Sequence, residues 1–417
     1  MTDTVAPTGG ARSIKKVGLL FSGGPAPAAN AVISAAVMNF VNAGIEICGF
    51  LDGYYHLANH VAGTQLREGV HYRCLGIDDV SGIRHDGDII IRTSRANPGK
   101  DIACEDDLRD PDKTAKLRNV FRAFDDLDID ALVSIGGDDT LKTANYIYKL
   151  QEVDPGLRRV AVVHLPKTID NDYYGIDFTF GFTSAADFAA HEIRNLIADA
   201  KSTCSWWILE IMGRKAGWLT YAAGIAGTAT KMISVEDVDG EFDLEAAADE
   251  IVELILSRRK DGRCYGAVCV AEGLADLLPE HLRPREYDMH GNPVLGKVEV
   301  GKKLADEVSK RYKARTGEEV KVRAKQIGYE TRCVPPSAFD VLLGSALGVG
   351  AYRALVEDGQ TGVMVSVEKQ MDLKYVPFSE LIDPETLKTR IRYIERDSDF
   401  YRLARALEYQ RKLALNE

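Results

Sequence analysis

Short runs of apolar, often β-branched residues alternate along this chain with longer segments whose apolar positions recur every three or four residues. The short runs are Lys16–Ser22, Ile45–Leu51, Ala131–Ile135, Arg159–His164, Ser205–Ile211, Cys264–Ala271, Val320–Gly328 and Gly362–Glu368. Their length and continuous hydrophobicity predict buried strands. The longer segments predict helices over Ala28–Ala43, Thr114–Asp125, Lys142–Val153, Ser184–Lys201, Leu244–Arg258, Gly301–Arg315, Phe339–Glu357 and Phe400–Leu413. Residues 54–115 read as polar and irregular, apart from Ile89–Ile91, which predicts one more strand. The prolines of Leu277–Gly296 predict a surface excursion. Strands alternating with helices imply an α/β fold of doubly wound, mainly parallel sheets, in two domains with the active site in the cleft between them.

The polar residues are informative because they cluster where the apolar runs stop. After Ser22 comes Gly23-Gly24-Pro25-Ala26-Pro27, a glycine turn placed where helix-start amides hold phosphate. It lacks the Gly-Lys-Ser/Thr ending of a P-loop and the GxGxxG spacing of a nicotinamide site. Ile91 is followed by Arg92 and Arg95, suited to phosphate contact or simply to a solvated surface. The junction Gly136-Gly-Asp-Asp-Thr140 joins two glycines to Asp138, a ligand type suited to Mg²⁺. Leu165-Pro-Lys-Thr-Ile-Asp-Asn-Asp172 brings a lysine, a hydroxyl and two carboxylates together. If extended, it points Asp170 and Asp172 to the same side, a set suited to phosphate holding and proton transfer. It equally fits a solvated turn.

Composition narrows the class. The 417 residues suffice for two domains, and 45% hydrophobic with 28% charged residues describes a soluble globular protein. A net charge of -11 argues against nucleic-acid binding, and no apolar run is expected to reach membrane-span length. Seven dispersed cysteines without a CxxC pair are expected to be reduced core residues. The start reads as a short disordered lead-in, and the whole as a cytoplasmic, bacterial-type enzyme.

Taken together, Ser22–Pro27, Gly136–Thr140, Pro166–Asp172, Met212–Arg214 and Gly328–Arg332 resemble the phosphofructokinase family, in order and spacing, from about Lys16 to about Glu368. The resemblance implies two Rossmann-like domains. Residues 16–183 with about 335–383 would form the larger phosphoryl-donor domain, and 184–334 the smaller fructose 6-phosphate domain. Residues 1–15 would be the lead-in and 384–417 a helical extension. It further implies Mg²⁺-dependent phosphoryl transfer to the 1-hydroxyl of fructose 6-phosphate. Asp170 would be the general base, with Thr168 and Arg214 acting on the transferring group. Gly23, Gly24 and Arg95 would bind the donor and Asp138 the Mg²⁺. Thr168, Asp170, Asp172, Met212, Gly213, Arg214, Glu272, Tyr329 and Arg332 would bind the sugar phosphate. Arg323 would reach it in a neighbouring subunit, implying a homodimer or homotetramer.

Two positions bear on the donor. ATP-using members of the family generally carry glycine where this chain has Asp139 and Lys167. A second carboxylate at Asp139 would crowd and repel a nucleotide α-phosphate, while Lys167 can hold terminal pyrophosphate oxygens. The resemblance therefore points to the pyrophosphate-dependent group, with an ATP-dependent sugar-phosphate kinase as the alternative. Ala28 departs from the glycine of the family loop. Thr331, Cys333 and Val334 depart in the 6-phosphate clamp and leave room for a larger sugar such as sedoheptulose 7-phosphate. A lipid or NAD kinase would have no use for Arg214 and Arg332. A non-catalytic sugar-phosphate-binding subunit would not need to retain Asp138, Asp170 and Arg214.

Overall fold

The computed structural model describes residues 14–283, 286 and 295–409. Most of the expected lead-in (1–13), residues 284, 285 and 287–294 of the expected excursion, and residues 410–413 of the expected last helix lie outside them. In chain order the strands are β1 (Lys16–Ser22), β2 (Glu46–Phe50), β3 (Tyr72–Cys74), β4 (Ala131–Gly136), β5 (Ala161–Pro166), β6 (Trp206–Ile211), β7 (Lys231–Ile233), β8 (Gly266–Ala271), β9 (Val322–Ile327), β10 (Val363–Glu368) and β11 (Asp372–Pro377). The longer helices are α1 (Ala29–Asn42), α2 (Ala115–Asp126), α3 (Asp138–Val153), α4 (Phe182–Thr203), α5 (Trp218–Gly227), α6 (Leu244–Lys260), α7 (Val300–Thr316), α8 (Ala338–Tyr352) and α9 (Asp399–Leu407).

The chain divides into two compact units. The first contains the chain up to Thr168, Tyr173–Gly181 and Pro335–Ile391; the second contains Ile169–Asp172, Phe182–Val334 and the chain from Arg392. The first unit has a seven-stranded sheet in the order β11-β10-β5-β4-β1-β2-β3, parallel except for its two edge strands. From β1 the chain adds β2 on one side and β4, β5 on the other. The topological switch point, where doubly wound sheets bind ligands, therefore lies between β1 and β4. β1, β4 and β5 are buried over nearly all their residues, as their unbroken apolar composition requires. The second unit has a parallel sheet in the order β7-β8-β6-β9. Its core joins Trp206 and Ile208 of β6 to Ile251 and Ile255 of α6 and to Leu304 and Val308 of α7.

Several expectations are corrected. Ile89–Ile91 is a turn, not a strand. The amide of Ile90 donates to the Asn30 side chain at 3.1 Å, so it is not available to a strand ladder, and Arg92 turns back with φ +57°. The region expected to be irregular holds β3; β7 went unrecognised because it is short, α5 because it is rich in small residues, and β11 because it is largely exposed and polar. The helix Ala338–Glu357, 20 residues long, is apolar and long enough to cross a membrane by length and composition. It packs on α1 instead: a Cβ on Gly348 would stand 2.4 Å from the Val32 carbonyl oxygen. Its hydrophobicity is that of a core helix. Cys204 and Cys264 form a disulfide, against the expectation of reduced cysteines. Spacing along the chain hid the pair, whereas the parallel register of Trp206 with Gly266 brings the two strand starts side by side.

The alanine that departs from the family loop sits in the left-handed region, φ +67°, immediately before α1. That conformation costs a residue with a Cβ roughly 1–2 kcal/mol, partly offset by the greater freedom of glycine in the unfolded chain. Ala28→Gly is expected to raise the unfolding free energy by about 1 kcal/mol, measurable as a higher denaturant midpoint at unchanged slope.

Candidate active site

In the first unit, strand register assembles the candidate residues. Ser22 of β1 pairs with Gly136 of β4, and Gly136 pairs with Pro166 of β5. Three loops therefore leave the sheet from the same level: Gly23–Pro27, Gly137–Asp139 and Lys167–Thr168. Gly23 has φ +96°, open to glycine and strained for other residues. Its amide donates to the Ser94 carbonyl at 2.9 Å, and Thr93 Oγ1 donates to its carbonyl at 2.7 Å. The loop carrying exposed Arg95 is thereby clasped to the loop of Gly23 and Gly24. The Lys167 amide donates to the Gly136 carbonyl at 3.0 Å. Its buried Nζ lies 3.4 Å and 3.8 Å from where Cβ atoms on Gly23 and Gly137 would be. One ammonium thus faces two glycine loops.

α3 begins earlier than its apolar pattern suggested, at Asp138 rather than Lys142. Asp138 and Asp139 occupy its first turn, where exposed amides favour negative charge. Asp139, half-exposed, pairs with Lys142 at 2.7 Å. Among the described residues there is no group of three His, Cys, Asp or Glu able to hold a metal. Mg²⁺ sites built from one or two carboxylates and the substrate's phosphate oxygens need no such cage. Asp138, beside two glycines that admit a ligand, fits that mode.

Behind these loops Tyr173 Oη donates to the Gly136 carbonyl at 3.1 Å and bonds His164 Nε2 at 3.1 Å. Burial pushes the His164 imidazole down to about 3, so it is a neutral prop and not a proton carrier.

The second unit repeats the arrangement with another set of strands. Ile211 of β6 pairs with Ala271 of β8 and Ile327 of β9. Met212–Arg214, Glu272 and Gly328–Arg332 therefore start in line. The Gly273 amide donates to the Gly213 carbonyl at 3.0 Å, tying the first two loops. Exposed Tyr329 lies under the Arg332 guanidinium, 4.7 Å from ring centroid to Cζ. Asp170 belongs to this unit, and the Arg214 amide reaches its Oδ2 at 3.4 Å. The loop is not extended: Asn171 has φ +55°, so strand-like alternation does not align Asp170 with buried Asp172. Thr168 stays with the first unit, its carbonyl accepting from Thr179 Oγ1 at 2.7 Å. Arg323 pairs with Asp199 at 2.9 Å and stacks on Trp207 within the second unit.

Burial pushes the Glu272 carboxyl from its ordinary 4.5 up to about 7, with the Asp170 and Glu210 carboxylates adding to the shift. Glu210 sits behind it, 2% exposed, and accepts from the Gly301 amide at 2.9 Å and Gln326 Nε2 at 3.0 Å. Its own carboxyl is raised by burial. Three supporting residues escaped sequence reading: Glu210, Glu236 and Arg392. Glu210 alone left a trace, a carboxylate inside the strand Trp206–Ile211. Glu236 holds the Gly217 amide at 3.0 Å, fixing the far end of the Met212–Gly217 loop.

Two mainly parallel sheets, each delivering glycine and charged loops from aligned strand ends, define a doubly wound α/β protein whose loops suit phosphorylated ligands. The family described as Phosphofructokinase matches residues 16–355, and the chain belongs to it. A relative from Thermotoga maritima, named pyrophosphate–fructose 6-phosphate 1-phosphotransferase, is 36% identical over 94% of this chain and 90% of its own. One from Corynebacterium efficiens, named ATP-dependent 6-phosphofructokinase, is 34% identical over 88% of this chain and 93% of its own. The fold also matches the crystal structure of pyrophosphate-dependent phosphofructokinase from Nitrosospira multiformis, with TM-score 0.67 and 19% identity over 96% of this chain and 95% of that one.

The raised Glu272 carboxyl has a consequence for stability. The folded state holds this proton more tightly than the unfolded chain, so its contribution is full below about 4.5 and lost as pH rises through about 7. The loss amounts to about 3 kcal/mol. Glu272→Gln, which cannot ionise, is expected to unfold at a higher temperature than the parent at pH 8, with the difference disappearing at pH 4.5.

Proposed function

We propose that this chain catalyses the reversible, Mg²⁺-dependent transfer of a phosphoryl group from pyrophosphate to the 1-hydroxyl of fructose 6-phosphate, giving fructose 1,6-bisphosphate and phosphate. The observation that carries the donor assignment is the Lys167 ammonium set against Gly23 and Gly137, with Asp139 in the first turn of α3. A fixed cation at the glycine loops suits a compact, highly charged donor. A second carboxylate at the helix start disfavours the further phosphate of a nucleotide, and Lys142 offsets its charge only in part.

Asp170 takes the proton of the 1-hydroxyl as that oxygen attacks phosphorus. The bond to the bridging oxygen of pyrophosphate breaks, phosphate leaves, and Lys167 balances the charge gathering on it. The Arg214 guanidinium steadies the negative charge of the transferring group, and its amide keeps Asp170 aimed. Tyr329 and Arg332 clamp the 6-phosphate, and Glu272 bonds sugar hydroxyls. Asp138 would hold Mg²⁺, which supplies charge neutralisation on the donor oxygens. Both directions run because a phosphoanhydride without a nucleotide lies close in transfer potential to the products.

A coupled assay with fructose 6-phosphate is expected to show turnover with pyrophosphate and none with ATP. The reverse result would establish the ATP-dependent reading that the Corynebacterium efficiens relative's name favours. Changing Asp139 and Lys167 together to glycine is expected to lower kcat/KM with pyrophosphate by about 10²-fold and to admit ATP. Asp170→Ser is expected to reduce kcat by about 10²–10⁴-fold while sugar binding persists; retained turnover removes Asp170 from the role of base.

A further inference from the structure

The family match ends at residue 355, yet the segment following Ile391 is packed against the two loops of the second unit that carry Asp170 and Arg214. Asn171, next to Asp170, is fully buried and left-handed at φ +55°, so its carbonyl is fixed in direction and shut away from water. A carbonyl so placed needs a donor. Arg392 Nη2 donates to the Asn171 carbonyl at 2.8 Å, and the Arg392 amide donates to the Asp172 carbonyl at 2.9 Å. The guanidinium is itself fixed, stacked 4.3 Å from the Trp218 ring centroid, and the Arg392 carbonyl accepts from Trp218 Nε1 at 2.8 Å.

The same strand of chain reaches the other loop. The Ile394 amide donates at 3.2 Å to Glu236, whose carboxylate also holds the Gly217 amide at the end of Met212–Gly217. Farther along, Arg396 forms two 2.9 Å bonds to Asp239, and Tyr401 Oη bonds Asp237 at 2.7 Å, anchoring the segment away from Asp170. Arg392–Arg396 is therefore a common brace for the Asp170 loop and the Arg214 loop.

We propose that Arg392 is a positioning residue for the phosphoryl-transfer reaction: through the Asn171 carbonyl it sets the angle at which the Asp170 carboxylate meets the sugar's 1-hydroxyl. This rests on the assignment of Asp170 as base. Arg392 bonds backbone carbonyls of the loop that carries Asp170, so its effect is expected in the turnover step more than in sugar affinity. A misplacement of about 1 Å at a reacting group costs on the order of 10²-fold in rate.

The test uses the full chain, with whichever donor supports turnover. Arg392→Ala is expected to lower kcat by about 10–100-fold while the KM for fructose 6-phosphate stays within about threefold. Arg392→Lys, which retains a shorter donor, is expected to recover part of the loss. Tyr401→Phe, which removes a distant anchor of the same segment, is expected to lower the melting temperature and leave kcat unchanged. In an Asp170→Ser background, Arg392→Ala is expected to cause no further loss. Wild-type kcat per folded molecule in both Arg392 variants overturns the proposal, as does a full additional loss in the Asp170→Ser background. If the alanine variant does not fold, the lysine variant decides by the same split of kcat from KM. Full activity of Asp170→Ser by itself removes the base assignment, whereas additive losses remove only the role of Arg392.

Discussion

The register of three parallel strands is the constraint on which the first unit's loop cluster depends. β1, β4 and β5 are bonded so that Ser22, Gly136 and Pro166 stand side by side. Neighbouring strands lie about 4.8 Å apart, so three loops that are distant in sequence must emerge within the width of a phosphate group or two. The hydrogen bond from the Lys167 amide to the Gly136 carbonyl continues the ladder one residue beyond the strands. A slip of one residue would turn Lys167 away and fill its place with Pro166 or Thr168. The continuous burial of the three strands makes that slip costly, because every apolar side chain would change faces with it.

The second sheet applies the same rule to a different chemistry. Ile211 is flanked in register by Ala271 and Ile327, so its three loops also begin level. Here the loops bring carboxylates together: Asp170 and Glu210 both act on Glu272, which burial has already pushed up to about 7. A carboxyl raised toward neutrality can donate to a hydroxyl as well as accept from one, and the Arg214 amide steadies the neighbouring Asp170.

How far the sequence disclosed this depended on whether a feature was local. The long strands and helices were legible because burial imprints a period, and the loops at their ends because glycine, lysine and aspartate interrupt it. Asp138 and Asp139 were visible as residues, but not as the first turn of α3, since polar residues at a helix start carry no apolar period. Ile89–Ile91 looked like a strand because three isoleucines are apolar, yet the Asn30 side chain 60 residues away claims the amide of Ile90. The Cys204–Cys264 pair was hidden for the same reason, since strand register and not chain spacing brings the two cysteines together. The bend at Asn171 was left open, since Asn and Asp fit both a turn and an extended run.

The C-terminal segment shows where such hidden determinants collect. Nothing in its composition suggests chemistry; arginines and tyrosines among polar residues describe an ordinary surface helix. Its meaning lies in what it must satisfy: a buried carbonyl at Asn171, a buried carboxylate at Glu236 and the face of Trp218. Each is a polar or aromatic demand left by the loops that bear Asp170 and Arg214, and each would be costly unmet. A loop can hold a strained, charged conformation only when its surroundings over-determine it. In this chain part of that determination comes from outside the region matched to the family, since the Asn171 and Asp172 carbonyls both take their donors from Arg392.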